Sequence, residues 1–312
     1  MIRFLRRLLV FLLLCIIPLC LVEFYGTHYL HSLNHYAVEP YADFMRQGPA
    51  ERGVNTLVMG TSRALVQYNP AILDSVLGTT TYNMGCDGRG LPTSLLKFST
   101  YLRYGNPAPQ FIIYDIGNFG FGYENGYERE QFYPYMGIDK SIRHFVWDNQ
   151  FCNITEKYIP GVRYFGIKNF KHNRWNPDYS LNGYNAFNAH FDSTNLVNIG
   201  RIAPPRDTIC NLFDIFLSQC DSMNIHVVLV HSPLYKRAQE KISDTASLWN
   251  TFRSFAIRHN IPLLIYTDNS MCHDTANFYN ATHLNALGAD RFSRLLAHDL
   301  DSLGLGRRRR VQ

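Results

Sequence analysis

The sequence predicts an α/β protein in which a parallel sheet of about five strands lies between two layers of helices. Short apolar runs alternate along the chain with segments of helical periodicity, as expected when helices connect parallel strands. The runs VVLV, FIIY and PLLIY are apolar without alternation, which is typical of strands that are buried on both faces. A long aromatic-rich insertion interrupts the alternation after the third strand.

The first segment, residues 1–27, has the composition of a signal anchor or transmembrane helix. A basic stretch, MIRFLRR, is followed by fifteen apolar residues from Leu8 to Val22. No small-x-small cleavage site follows, which favours an uncleaved anchor over a removed signal peptide. The apolar run covers about 22 Å at 1.5 Å per residue, less than a membrane core of about 30 Å, so flanking residues would have to adjust at the interfaces. The arginines place the rest of the chain on the extracytoplasmic side, periplasmic or at the cell surface.

The remaining elements follow in order. A stalk and lead-in helix are predicted for residues 28–52, an α/β domain for residues 53–303 and a basic tail for residues 304–312. The strands are predicted at NTLVMG (55–60), TTTYNMG (79–85), QFIIYDIG (110–117), HVVLVHSP (226–233) and PLLIYTD (262–268). The helices are predicted at 69–78, 91–105, about 207–223, around 235–258 and 286–303.

The insertion, residues 119–206, is rich in Gly, Tyr, Asn, Phe and Pro and shows little helical periodicity. It is too long to be a simple connection. One interpretation is that it covers the carboxyl edge of the sheet and shapes a cleft, where aromatic and amide side chains would bind sugars. The alternative is a small accessory subdomain without contact to a ligand.

The composition argues against nucleic-acid binding and against a metal site. The net charge is +5, but seven positive charges lie near the two ends of the chain, in Arg3, Arg6, Arg7 and the run Arg307 to Arg310. The body between them is therefore close to neutral. The seven cysteines show no CxxC motif and no Cys/His pair with the spacing of metal ligands. No cofactor is expected.

Four predicted loops at the carboxyl edge of the sheet carry polar or glycine-rich sequences, and ligands bind at this edge in parallel sheets. Ser62 follows the first strand, Gly88 lies in the glycine-rich loop after the second, Asn118 follows the third and His283 follows the fifth. Each has a structural alternative. Thr61 or Ser62 can cap a helix, glycine permits a sharp turn, and asparagine is a common turn former.

Together these loops resemble the ordered sequence blocks of the SGNH (GDSL-like) hydrolase superfamily. The blocks are GTSR at 60–63, NMGCDG at 83–88, GN at 117–118 and NATHLN at 280–285. The resemblance spans residues 55–303 without the insertion and implies a three-layer, flavodoxin-like (SGNH-type) fold. The GTSR form, the anchor and the insertion are most similar to the membrane-tethered branch, whose members modify cell-envelope polysaccharides or teichoic acids.

The resemblance also implies a role for each residue. Ser62 would be the nucleophile and His283 the general base, while the N–H of Ser62, the N–H of Gly88 and the side chain of Asn118 would form the oxyanion hole. Water would resolve the acyl-Ser62 intermediate in an esterase, and a sugar hydroxyl would do so in an O-acyltransferase. The implied partners are an acylated glycan substrate and a membrane-bound O-acyltransferase.

The sequence departs from the family pattern at Asn280, where relatives have an aspartate three residues before the histidine. An asparagine can hold the imidazole through its carbonyl oxygen, but it cannot stabilise the imidazolium by charge. The change is compatible with a slow enzyme, a transferase, a dyad of Ser62 and His283, or an inactive site. Asp268 and Asp274 are the candidates to replace the missing carboxylate.

Three functions follow from these observations. The first is an exported, membrane-anchored serine esterase or O-acyltransferase that acts on acylated cell-envelope carbohydrate. The second, suggested by Asn280 and the aromatic insertion, is a non-catalytic carbohydrate-binding or assembly module with a degenerate site. The third is a structural partner that acts through its anchor and its basic tail.

Overall fold

The computed structural model describes residues 1–32, 48–88, 90–117, 120–121, 132–133, 135–165, 182–196, 205–242 and 245–306. The chain forms two compact units. The smaller unit combines Met1–Ala42 with Gly126–Asn176, and the larger unit combines Asp43–Asn125 with Pro177–Gln312.

The larger unit is built on a five-stranded sheet in which all neighbouring strands are parallel. The strands are β1 (Thr56–Met59), β2 (Thr81–Asn83), β3 (Phe111–Asp115), β4 (His226–His231) and β5 (Leu263–Ile265). Their spatial order is β2-β1-β3-β4-β5, which is the order of flavodoxin-like doubly wound folds. The prediction of a parallel α/β sheet of about five strands is therefore confirmed.

Helices follow the strands along the chain. Over the described residues they are α1 (Ile2–Ser32), α2 (Gly48–Glu51), α3 (Ser62–Gln67), α4 (Pro70–Leu77), α5 (Leu91–Arg103), α6 (Lys140–Asp148), α7 (Ile154–Tyr158), α8 (Asp207–Ser222), α9 (Lys236–Lys241), α10 (Thr245–Arg258) and α11 (Ala286–Ser302). The predicted helix at 235–258 is two helices, α9 and α10. The short helix α3, which begins at Ser62, was not predicted.

Two helical layers cover the sheet. On one face, α3, α4 and α11 pack together, and the rings of Tyr68 and Tyr266 both meet Phe292 edge-on at about 5 Å. On the other face, α5 packs against α8 through Phe98 and Phe216. Strands β1 to β4 are buried along almost their whole length between these layers. Burial on both faces explains why their sequences are apolar without alternation.

Local signals set the ends of these helices where the sequence indicated. The Asn69 side chain accepts the Ala71 N–H at the start of α4, with Pro70 in the first helical position, and Gly78 ends the helix in the left-handed conformation. The Asn285 side chain accepts the Gly288 N–H at the start of α11. This cap fixes the direction of the loop that carries His283 into the helix.

The smaller unit begins with one continuous helix, α1. An 18-residue window within Ile2–His28 has a mean hydropathy of 2.7, and the helix is long and apolar enough, by length and composition, to cross a membrane. These 27 residues correspond to about 40 Å of helix at 1.5 Å per residue. Helix α1 is therefore longer than a membrane core of about 30 Å, whereas the fifteen-residue apolar run within it is shorter.

The predicted insertion is divided between the two units. Its residues 126–176 group with the N-terminal segment, and its residues from 177 onward group with the sheet. Helix α6 lies within the insertion and buries Ile142 and Val146, four residues apart, although the sequence of the insertion shows little helical periodicity. Most of the predicted stalk and most of the basic tail lie outside the described residues, and the domain boundaries stay predictions.

Candidate active site

Ser62 is placed by a sharp turn at the end of β1. Gly60 has a φ of 140°, and a Cβ atom at this position would lie 2.9 Å from the carbonyl oxygen of Asp115. Only glycine fits this backbone conformation and this close approach to β3. Thr61 makes no side-chain capping bond to α3. The turn leaves the Ser62 hydroxyl at the carboxyl edge of the sheet.

The Ser62 hydroxyl contacts the imidazole of His283. The distance from Ser62 Oγ to His283 Nε2 is 2.7 Å, although the two residues are 221 positions apart in the sequence. His283 comes from the loop between β5 and α11. Two of the four loops therefore meet at hydrogen-bonding distance.

The other imidazole nitrogen faces oxygen atoms only. His283 Nδ1 lies 3.1 Å from Asn280 Oδ1 and 2.9 Å from Thr282 Oγ1. Thr282 Oγ1 in turn donates to Asn280 Oδ1 at 3.2 Å, so its lone pairs are free to accept a hydrogen bond from Nδ1–H. This arrangement favours the tautomer with the proton on Nδ1. His283 Nε2 is then free to accept the proton of Ser62.

The side chain of Asn280 is held by the backbone of its own loop. Its Oδ1 accepts the N–H groups of Thr282 and His283, both at 2.9 Å. These donors fix the amide with its oxygen toward the imidazole. The predicted role of Asn280 as the residue that orients His283 therefore has a geometric basis, and Thr282 is a second orienting residue that the sequence analysis missed.

Neither aspartate that was considered as a replacement carboxylate contacts His283. Asp268 lies 3.6 Å from Lys236 and points into solvent. Asp274 caps a short 3-10 turn by accepting the Ala276 N–H at 2.9 Å. Within the described part of the chain, the groups that hydrogen-bond to the imidazole of His283 are all uncharged.

The surroundings keep this imidazole neutral. Burial, followed by the positive charge of Arg63, lowers the pKa of His283 from 6.5 to about 3. The side chain is still partly open to solvent, so a substrate can reach it. A neutral imidazole at physiological pH is the form that a general base requires.

The glycine-rich loop after β2 lies beside the Ser62 turn. The Cys86 N–H donates to the Gly60 carbonyl at 3.1 Å, and Gly88 follows two residues later with a φ of 60°. The negative charge of Asp87 raises the pKa of Tyr279, after burial, to a value above its ordinary range, which places this loop near the His283 loop as well. Asn118, the third predicted oxyanion donor, lies outside the described residues.

A buried polar cluster lies beneath Ser62. The guanidinium of Arg63 donates to the carbonyl oxygen and to the hydroxyl of Ser232. Ser232 also donates to the carboxylate of Asp115, which accepts the Tyr68 hydroxyl at 2.6 Å. All four residues are at most 2 % exposed. The cluster links the loop after β1 to the ends of β3 and β4, and the sequence analysis did not identify it.

A stack of rings supports His283 from the side. Tyr279 lies parallel to His283 at 5.4 Å, and Phe187 lies parallel to Tyr279 at 4.5 Å. The backbone of Phe187 also accepts the Ala286 N–H at 2.8 Å, and Asp192 N–H donates to the Tyr279 carbonyl at 2.8 Å. The part of the insertion that belongs to the larger unit thus contacts the His283 loop, and its role in shaping a cleft stays a prediction.

Comparisons with known proteins give a limited result. No protein-family model matches the chain, and no curated protein matches it. Among solved structures, the chain is similar to a protein from Bacteroides fragilis NCTC 9343 described as a "putative acylhydrolase", with a TM-score of 0.40 and 11% identity over 86% of this chain and 98% of that chain.

Proposed function

We propose that this protein is a serine ester hydrolase or O-acyltransferase in which Ser62 is the nucleophile and His283 the general base. The observation that carries the proposal is the distance of 2.7 Å between Ser62 Oγ and His283 Nε2. It is supported by Asn280 and Thr282, which hold the opposite nitrogen of the ring. A nucleophile, a base and an orienting residue in series are the parts of a serine hydrolase triad.

The first half of the reaction transfers an acyl group to the enzyme. Ser62 Oγ attacks the ester carbonyl carbon while its proton moves to His283 Nε2. The carbonyl oxygen becomes an oxyanion, and the N–H groups of Ser62 and Gly88 are the proposed donors to it, together with the Asn118 side chain. The intermediate then expels the alcohol, which takes the proton from Nε2, and leaves an acyl-Ser62 ester.

The second half repeats the proton transfer with a new nucleophile. His283 removes a proton from water or from a sugar hydroxyl, which attacks the acyl-Ser62 carbonyl. Collapse of the intermediate returns the proton to Ser62 Oγ. Attack by water releases a carboxylic acid, and attack by a sugar hydroxyl produces a new ester. The imidazolium that forms in each step is stabilised by neutral oxygen atoms and not by a carboxylate, so we expect a slow enzyme.

The substrate that we propose is an acylated carbohydrate of the cell envelope. The apolar helix α1 supports a site tethered to a membrane, on the extracytoplasmic side according to the basic residues that precede it. Phe187 and Tyr279 supply aromatic surface beside the proposed base, His283. A membrane-bound O-acyltransferase as the partner that delivers or receives the acyl group is part of the same proposal and comes from the SGNH-like sequence blocks.

A second candidate function is carbohydrate binding without turnover. Asn280 favours it, because an imidazolium next to a neutral amide is less stable than one next to a carboxylate. This function predicts affinity for an acylated glycan in which the ester stays intact. It also predicts that replacement of Ser62 leaves the function in cells unchanged.

The two candidates are separated by an ester hydrolysis assay on the full chain in detergent. With p-nitrophenyl acetate as the probe, Ser62→Ala should lower kcat by at least about a thousandfold. Ser254→Ala, at an exposed position of α10, is the matched control and should retain the wild-type rate. An acetyl group trapped on Ser62 and found by mass spectrometry would support the intermediate, and equal rates for Ser62→Ala and wild type would refute the proposed function.

Addition of a glycan acceptor then separates the esterase from the transferase. A transferase would deliver acetyl groups to the acceptor hydroxyls and release less free acetate. An esterase would release acetate at the same rate with and without the acceptor.

A further inference from the structure

The carboxyl-terminal third of α1 is covered by protein along one face. Leu19, Val22, Glu23, Gly26 and Thr27 are partly or fully shielded, whereas residues 1–18 are exposed all round. The spacing of the shielded positions places them on one side of a helix. Among the described residues, this face is contacted by the 3-10 turn Val162–Tyr164 and by the residue before it, Gly161, all of the same unit.

The contact between the turn and α1 is close. A Cβ atom on Gly26 would lie 2.8 Å from the ring of Tyr164, and the Tyr164 hydroxyl lies 2.5 Å from the hydroxyl of Thr27. A Cβ atom on Gly161 would lie 2.5 Å from the Leu19 carbonyl oxygen. Fitted contacts of this kind indicate that α1 stays attached to the mature protein, because a removed signal peptide would leave the ring of Tyr164 uncovered.

Glu23, directly after the apolar run Leu8 to Val22, is the acidic residue of the candidate membrane span Ile2–His28, and its charge is paired by the turn. Arg163 forms an ion pair with the Glu23 carboxylate, and the Gly161 N–H donates to Oε2 at 3.0 Å. A lone carboxylate is costly in the hydrocarbon region, and charged residues there are paired. Leu19 lies one turn of α1, about 6 Å, on the membrane side of Glu23. The turn that contacts both residues therefore reaches to the depth of the apolar span.

The residues that flank this turn expose large apolar side chains. Ile154 is 73%, Tyr158 68%, Ile159 41% and Phe165 60% exposed. Ile154 and Tyr158 lie four residues apart on α7 and so on the same side of it. The Asn153 and Glu156 capping box holds the helix in place. These side chains are largely exposed on an ordered part of the described chain, and exposed apolar side chains grouped in this way are typical of an interaction surface.

Aromatic and basic groups lie beside these side chains. Lys157 Nζ lies 4.3 Å from the ring centre of Trp147 and 5.5 Å from that of Tyr158, and the two rings are 6.5 Å apart. Trp, Tyr and Lys are the residues that favour the boundary between lipid headgroups and acyl chains, where one end is apolar and the other is wet.

We propose that residues 147–165 form an interfacial platform that lies in the bilayer crossed by α1. Ile154, Tyr158, Ile159 and Phe165 insert among the lipids at the headgroup boundary, and the Glu23–Arg163 pair marks the depth of that boundary on α1. The occupant of this surface is lipid, because the surface is continuous with the membrane helix and carries the residues of an interfacial belt. The proposal rests on α1 as a retained membrane helix and does not depend on the esterase reaction.

Photocrosslinking in the full chain tests this platform. A benzoylphenylalanine replaces Tyr158 in one variant and Phe165 in a second, so that each probe takes the place of an exposed aromatic side chain. Ile257, which is 81% exposed on α10 of the larger unit, receives the same probe as the matched control. The variants are reconstituted into vesicles of phosphatidylethanolamine and phosphatidylglycerol, irradiated and analysed by mass spectrometry.

The expected result is a lipid adduct on the peptides that carry positions 158 and 165, with a yield at least about tenfold above that at position 257. Equal yields at the three positions, or no lipid adduct at 158 and 165, would overturn the proposal. Irradiation of native membranes separates lipid from a protein partner. Lipid adducts at 158 support the platform there, and a dominant adduct to another protein at 158 would overturn it. Ester hydrolysis by the same variants reports on the active site independently.

Discussion

At the scale of single residues, the site depends on oxygen atoms that surround one imidazole. Ser62 and His283 could be predicted from the sequence, because each lies in a short block after a strand. Thr282 could not, since a hydroxyl next to a histidine is common and only the folded loop brings its Oγ1 within 2.9 Å of Nδ1. The consequence of Asn280 also required the structure, which shows its oxygen and not its nitrogen toward the ring.

A carboxylate at position 280 should improve the catalyst. The groups around Asn280 Oδ1 are donors, namely two backbone N–H groups, a hydroxyl and Nδ1–H, so Asn280→Asp fits without rearrangement. Its negative charge stabilises the imidazolium, and we expect kcat/KM for acetyl ester hydrolysis to rise by roughly tenfold or more. Asn280→Ala, which removes the acceptor, is the control and should lower it. A lower kcat/KM in both variants would show that the missing negative charge at position 280 does not limit catalysis.

Thr282→Val should weaken the base without a change in substrate binding. Valine has nearly the shape of threonine but lacks the hydroxyl that bridges Asn280 and Nδ1. We expect kcat to fall about tenfold, the cost of one hydrogen bond of about 1.4 kcal/mol, while KM stays constant. Steady-state kinetics with p-nitrophenyl acetate measure both constants. A change in KM alone would mean that Thr282 contacts the substrate instead of orienting His283.

The kcat/KM of the wild type should not fall on the acidic side near pH 6.5. Burial and Arg63 hold the pKa of His283 at about 3, so the imidazole stays unprotonated, and able to act as a base, from neutral pH down through pH 5. The dependence of kcat/KM on pH reports the pKa of the free enzyme and is measured with the same ester. In Asn280→Asp the new carboxylate raises the pKa of His283, so the acidic fall in kcat/KM should move to higher pH. A wild-type fall with its midpoint at 6.5 would contradict the effect of burial.

At the scale of elements, the sequence identifies strands and capped helices better than it identifies the insertion. The strands are apolar runs whose burial on two faces leaves little ambiguity, and α4 carries both its cap and its terminal glycine. Helix α6 buries only Ile142 and Val146, a pattern too sparse to recognise in an aromatic-rich segment. Helix α3 is short and is positioned by the Gly60 turn. This turn contacts β3, and the local sequence contains no pattern that predicts the contact.

Gly60→Ala should therefore destabilise the fold. Alanine at a φ of 140° is strained, and its Cβ would lie 2.9 Å from the Asp115 carbonyl oxygen. We expect a loss of roughly 2–4 kcal/mol in the free energy of unfolding, measured by urea titration, together with a loss of hydrolysis. Gly53→Ala is the control, because Gly53 also has a positive φ but meets nothing within 4 Å. Equal destabilisation in the two variants would show that backbone strain, and not the contact with β3, is the cause.

At the scale of the whole molecule, a charge buried under the sheet edge affects groups on several elements. Arg63 lies on α3, yet its charge lowers the pKa of His231 on β4 and that of His283 before α11. The parallel sheet could be predicted because strands and helices alternate along the sequence, whereas this coupling depends on distances between α3, β4 and α11 that the sequence order does not contain. The association of residues 126–176 with α1 was not predictable for the same reason.

The fully buried His231 and the partly buried His283 should make the protein less stable as the pH falls from 6.5 to 5. Burial, with Arg63 in second place, lowers the pKa of both His231 and His283. In the unfolded chain both histidines titrate near pH 6.5. Between pH 6.5 and 5 the unfolded state therefore binds more protons than the folded state, and the free energy of unfolding decreases as the pH is lowered. Each histidine contributes a slope of up to about 1.4 kcal/mol per pH unit.

Urea titrations of the full chain in detergent at several pH values measure this slope. His283→Gln should reduce the slope by the contribution of up to one proton. His298→Gln, at an exposed position of α11, should leave the slope at the wild-type value. The range from pH 6.5 to 5 isolates the histidines, because carboxylates with lowered pKa such as that of Asp214 take up protons only at lower pH. An identical slope in wild type and His283→Gln would mean that His283 takes up its proton over the same pH range in the folded and unfolded states, which would contradict a lowered pKa of this imidazole.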